Sequence, residues 1–142
     1  MKWYFASRTR HQYKLASLSK QLEEIGEIIE STWVYIEDNL IPFTEHIEAT
    51  QKLAVQDIDG VLRSDILVLI SDPSGTDMFA EFGAALAKKS LTPNSIRIYI
   101  VGEHSTRSLI QLHPAVVHLS TIQEVFQKEK LNYTELQIPD FK

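Results

Sequence analysis

Two acidic residues stand where an acid is costly unless it has a partner or a task. Glu81 lies in DMFAEFGAALA, among apolar and small residues, just after the apolar run ILVLI and a polar turn. On a helix it falls on the flank of the apolar stripe, about 100° from Phe82 but close to the line through Met78 and Ala85. The helix N-terminus ahead of it favours the ionised carboxylate, the form in which a carboxylate acts as a nucleophile. Asp57, in QKLAVQDIDGVLR, sits mid-helix beside Ala54 and Val61, a place where Asp competes poorly because its side chain bonds the backbone. By spacing alone, each acid reads somewhat better as a solvated helical residue than as a functional one.

Two turns could hold an anion. DPSGT carries the hydroxyls of Ser74 and Thr76, and around Gly75 it offers backbone N–H groups ahead of a helix, a serviceable anion site. It lacks the GK[ST] ending of a Walker loop. SRTR, at Ser7 to Arg10, follows the first strand, and its two arginines could grip a phosphate in bidentate fashion; a basic surface turn explains it equally well. Gly83 would let a helix pack tightly or a ligand approach the backbone. The five histidines show no metal-ligand spacing, and no metal or cofactor is expected. There is no G-x-S-x-G elbow and no GxGxxG after a strand, so a hydrolase serine and a dinucleotide fold are both unsupported.

Composition narrows the classes further. The chain has 142 residues, 44% hydrophobic and 23% charged, which reads as one globular domain over residues 1–142. A net charge of −5 argues against a nucleic-acid partner. With no cysteine, disulfides, thiolate metal sites and a Cys nucleophile are excluded. Neither a signal peptide nor a membrane span is expected, and the reading is a cytoplasmic protein.

The elements that must position these residues alternate strand and helix. Lys2–Ala6 reads as a first strand, and Leu15, Leu18, Leu22 and Ile25 stripe a first helix ended by Gly26. Glu27–Val34 reads as a second strand. Residues from about Glu45 to Arg63 form a second helix, its stripe being Ala54, Ile58, Val61 and Leu62. Ile66–Ile70 has no polar alternation, as befits a strand covered on both faces. A third helix spans Asp77–Lys89, with Met78, Phe82, Ala85 and Leu86 inward. Ile96–Val101 and Val116–Leu119 are strands, and Leu109–Leu112 is a short helical turn. A last helix spans Thr121–Lys130, capped by Thr121 with Glu124. The tail NYTELQIPDFK is ambiguous. This alternation predicts an α/β fold: a flavodoxin-like, doubly wound, parallel five-stranded sheet of order 2-1-3-4-5. Its switch point, between strands one and three, brings the SRTR and SDPSGT loops together.

Three patches, in this order and spacing, resemble the nucleoside 2-deoxyribosyltransferase family, which includes the deoxynucleoside 5′-monophosphate N-glycosidases. They are YFAS at Tyr4–Ser7, QDIDGVLRSDILVLISD at Gln56–Asp72, and PSGTDMFAEFGAALA at Pro73–Ala87. From Ser90 on, the match is one of strand and helix pattern. The resemblance implies that Glu81 attacks the anomeric carbon, that Asp57 assists the departing base or orients the sugar, and that Tyr4 touches the sugar or Glu81. A covalent glycosyl–enzyme would then pass to a second base or to water. If the two acids share a pocket, one pKa should be pushed up while the other group stays ionised.

The SRTR turn is closer to the nucleotide hydrolases of that family than to its transferases. It implies that Ser7, Arg10, Ser74 and Ser105 hold a 5′-phosphate, with Ser105 donated by a neighbouring subunit of a homodimer. The loop SGTDMFA differs from the shorter, Gly-rich family version. Two other readings stay open: cleavage of NAD or a related ribosyl nucleotide, and a nucleotide-sensing module without turnover. A phospho-receiver domain fits poorly, because the first strand ends in Ala6, Ser7 and Arg8 rather than in acids.

Overall fold

The apolar run Ile66–Ile70 is the centre of the molecule. All five residues are buried, with parallel neighbours on both sides, as a run without polar alternation requires. The computed structural model describes residues 1–142. Its strands are β1 (Lys2–Ala6), β2 (Ile28–Ile29), β3 (Ile66–Ile70), β4 (Arg97–Val101) and β5 (Val116–Leu119). Its helices are α1 (Gln12–Glu24), α2 (Ile47–Arg63), α3 (Asp77–Leu91) and α4 (Ile122–Lys128). The sheet is parallel throughout, in the order β2-β1-β3-β4-β5. Tyr4 is in register with Leu67 and Ala6 with Leu69, so the loops after β1 and β3 emerge side by side. No helix is long and apolar enough to cross a membrane.

The second strand is far shorter than its residues suggest. Only Ile28 and Ile29 pair with β1. The chain then turns through a 3-10 segment, Thr32–Tyr35, and Trp33 takes over the role of the ladder. Its indole N–H donates to the Phe5 carbonyl at 2.8 Å, satisfying an acceptor that a longer strand would have met. The Gln12 amide donates to the carbonyls of Trp33 and Ile36 and fixes this segment from the other side. The early end of β2 therefore opens a space beside the end of β1.

The α2 stripe also differs from expectation. Val61 is buried, but Ala54, Ile58 and Leu62 are exposed. The closest packing is made by Gly60, where a Cβ would lie 2.7 Å from the Glu30 carbonyl oxygen and 3.1 Å from the Tyr4 ring. The absent side chain lets α2 press onto β1. In α1, Leu15, Leu18 and Leu22 are buried while Ile25 is exposed at the helix end. Gly26 continues the chain at φ +95°, a conformation that suits glycine. The inward residues of α3 are the expected Met78, Phe82, Ala85 and Leu86, joined by Glu81. Gly83 has no neighbour that a Cβ would meet, so it serves no close packing. The tail folds back along α1, with Gln137 and Gln21 bonding reciprocally at 2.7 and 3.0 Å and Phe141 edge-on to His11.

Candidate active site

A groove of about 610 Å³ opens where β2 stops. One wall is α2, whose Thr50, Leu53, Ala54, Asp57 and Ile58 recur at helical spacing. A second wall is the start of α3, with Asp77 and Glu81 one turn apart. Ser7, Thr9, Gln12, Trp33, Ile36 and the loop from Asp38 to Phe43 line the remainder. The two acids singled out in the sequence thus face one space.

Glu81 is only 8% exposed. Its pKa is pushed up to about 8, first by burial and then by the charges of Asp57 and Asp77, while the approach of the Tyr4 hydroxyl works the other way. The expected help from the helix N-terminus loses to desolvation. Glu81 stands in the second turn of α3, where the helix dipole has faded, and a buried charge lacking a cation is costly. Asp57 is also raised, to about 6, by burial and then by Asp77. Where one acid is expected to be raised while the other stays ionised, both are raised, to different extents, and it is Glu81, the expected nucleophile, that is raised further. Tyr4 lies beneath them, fully buried. Burial, followed by the two carboxylates, holds its phenol neutral. The Tyr4 hydroxyl, Thr50 Oγ1 and Asp57 Oδ1 have no protein hydrogen-bond partner.

The residues expected to cradle a phosphate form a different cluster. At its centre is Asp72, 1% exposed, two residues past the end of β3. Its carboxylate accepts from Arg10 Nε at 2.5 Å and from the Ser74 backbone N–H at 3.0 Å. Arg8 lies 3.7 Å away and also donates to the Ser74 hydroxyl. Burial alone would raise the Asp72 pKa, but the Ser74 N–H and the two guanidinium groups outweigh it and hold the carboxyl below its ordinary range. His11 Nε2 is 3.9 Å from this carboxylate. Burial and the neighbouring Arg10 and Lys14 charges push the imidazole pKa down, so that contact is not an ion pair at neutral pH.

Arg10 and Ser74 therefore face Asp72, while Ser7 lines the acid groove and donates its hydroxyl to the Arg8 carbonyl at 3.0 Å. Gly75, at φ +125°, and Thr76 lead from this cluster into α3. Ser105 lies in the loop after β4 and does not line the groove of its own chain. Arg107 of the same loop donates to the Asp72 carbonyl at 2.8 Å and sits over the Phe79 ring. Sequence reasoning missed Asp72, Asp77, Thr50 and Trp33. Asp77 carried a usable signal, an acid one helical turn before Glu81. Asp72 carried another, an acid two residues past an entirely apolar strand.

Fold and groove together define a parallel α/β protein with paired acids at its switch point, where such sheets bind ligands. Among solved structures the chain is similar to the CMP N-glycosidase BcmB of Clostridium botulinum. The TM-score is 0.54 and the identity 18%, over 92% of this chain and 100% of that one; at that identity the likeness is one of fold. Neither protein-family models nor curated proteins give a match to the sequence.

Proposed function

We propose that this protein cleaves the N-glycosidic bond of a nucleoside or its 5′-monophosphate, with Glu81 as nucleophile and Asp57 as its proton-handling partner. The observation that carries this reading is the convergence of Glu81 and Asp57 on one groove, from two helices, above a buried tyrosine. The fold shared with a CMP N-glycosidase agrees with it. Between about pH 6 and pH 8 the two carboxylates hold one proton between them. That proton rests on Glu81, whose pKa is the higher. Attack requires it on Asp57, from which it passes to the departing base nitrogen as the C1′–N bond breaks. Glu81, now ionised, forms the C1′–O bond, and water or a second base then releases the sugar.

On this reading the Asp72 cluster has one positive charge beyond its carboxylate, from Arg8 and Arg10. Ser7, Arg10, Ser74, Gly75 and Thr76 are the groups offered to a 5′-phosphate. Ser105 would enter only from a second copy, so the homodimer and its sedimentation behaviour belong to the same proposal. The test is release of free base from nucleosides and their monophosphates, followed by chromatography. Release that is abolished in Glu81→Ala supports the reading; no release from any of them by folded protein overturns it.

A further inference from the structure

We infer that the groove recognises an N-glycoside whose base is a cation, a pyridinium-type or quaternised nucleobase, in preference to a neutral one. This rests on the glycosidic reading of the same site. The groove is lined by four carboxylates, Asp38, Asp57, Asp77 and Glu81, and by no lysine, arginine or histidine. None of the four takes part in an ion pair, whereas Glu27, Glu30, Asp72 and Glu129 all do. Glu81 is more than nine-tenths buried and faces the cavity without a counter-charge. The same groove presents two aromatic rings, Trp33 and Phe43. Carboxylates without cations, set among aromatic side chains, are what a delocalised organic cation requires. A neutral base would exclude water from these acids without compensating the charge of any that is ionised.

Charge also links recognition to chemistry. A neutral ligand that excludes water from Glu81 strengthens the desolvation that already holds its proton. A cation in the groove does the reverse: it favours the ionised carboxylate and so generates the nucleophile as it binds. The step balances without an acid. Glu81 forms the C1′–O bond while the C1′–N bond breaks, and both electrons of that bond pass to the ring nitrogen. The base leaves neutral, with no proton taken up. Water then adds to C1′ and Glu81 is restored as a carboxylate. The proton lost by the water goes to Asp57 and then to solvent.

The experiment has two arms. In the first, base release is followed from nicotinamide riboside and from uridine, thymidine and deoxyadenosine, each expressed relative to its uncatalysed hydrolysis. In the second, the binding of 1-methylnicotinamide, a pyridinium cation with no glycosidic bond, is compared with that of neutral nicotinamide by tryptophan fluorescence. The inference expects the larger rate enhancement for the cationic riboside, and binding of the methylated cation about tenfold tighter than that of nicotinamide. Asp77→Asn should narrow that preference severalfold. Cleavage of the neutral nucleosides with equal binding of the two bases overturns the inference and leaves the glycosidase reading standing. Tight binding of the cation with no cleavage of any substrate supports the ligand class and overturns the proposed reaction. Neither binding nor cleavage overturns both.

Discussion

The groove and the Asp72 cluster lie at the same edge of the same sheet, and they treat a buried carboxylate in opposite ways. Asp72 is buried against two guanidinium groups and a backbone N–H, and its pKa falls. Glu81 is buried against two other carboxylates and a phenol, and its pKa rises to about 8. Burial penalises the charge in both places; the neighbours decide the outcome. One acid is thus a fixed anion that organises loops. The other stores a proton that it can give up. Only the second kind of site can change its charge during a reaction at neutral pH.

The sharpest way to break this comparison is at Glu81. Glu81→Gln keeps the shape and removes the nucleophile, so glycosidic turnover should fall by on the order of 10⁴-fold. With a neutral nucleoside as substrate, the wild-type rate should trace a bell with limbs near the two raised pKa values, about 6 for Asp57 and about 8 for Glu81. Below the lower limb both acids are protonated and no nucleophile forms; above the upper limb neither can give the base a proton. A rate that rises without limit toward high pH would show that the pair does not act as an acid and a nucleophile.

Stability should separate the two sites by sign. Folded Glu81 titrates at about 8 against an ordinary value of 4.5. Across that window the folded state holds the extra proton, so its stability falls as pH rises. Glu81→Gln lacks this loss. It should melt like wild type at pH 4.5 and well above it at pH 9, by several kcal/mol at roughly 1.4 kcal/mol per unit. Asp72 runs the other way. Its depressed pKa gives stability that is present above the ordinary carboxylate value of 3.8 and is lost as pH falls below it. Because its arginine partners are 42% and 46% exposed, screening limits the cost of Asp72→Asn to about 1–3 kcal/mol at pH 7. Thermal melts across the pH range should show the two variants deviating from wild type in opposite directions.

What the sequence disclosed follows the same divide. Periodicity and apolar runs located every strand, including Ile66–Ile70 and Val116–Leu119 to the residue, because each is set by local pattern and burial. The strand order 2-1-3-4-5 followed from strand–helix alternation. Glu81 and Asp57 stood out because each is an acid in an apolar helix. The truncation of β2 was hidden, since it depends on an indole reaching a carbonyl 28 residues away. The pairing of Arg10 with Asp72 spans 62 residues and leaves no trace in spacing, which is why these arginines read as free to bind phosphate. Gly60 gave no signal either, because the groups it packs against, the Glu30 carbonyl and the Tyr4 ring, lie far away in the chain. Gly60→Ala would normally gain about 1 kcal/mol in helix propensity. Here the new Cβ lies 2.7 Å from the backbone oxygen of Glu30, which cannot move cheaply. A net loss of about 1–3 kcal/mol is expected. Lower activity should accompany it, as α2 carries Asp57 away from Tyr4.

Tyr4 tests the comparison most finely, because it touches the proton store without belonging to it. Its hydroxyl makes no protein hydrogen bond of ordinary geometry but approaches Glu81 closely enough to act on it, so Tyr4→Phe gives up only a weak contact and should change stability by less than about 1 kcal/mol. The hydroxyl is, however, the one neighbour that lowers the pKa of Glu81. Without it, the alkaline limb of the activity profile should move upward, by less than about one unit. The acidic limb should stay in place, because Asp57 is governed by burial and by Asp77 and not by Tyr4. A profile that widens on its alkaline side alone would place Tyr4 as a tuner of Glu81. If the whole rate collapsed with both limbs unmoved, Tyr4 would instead be handling a proton itself, and the division of labour between Glu81 and Asp57 would have to be redrawn.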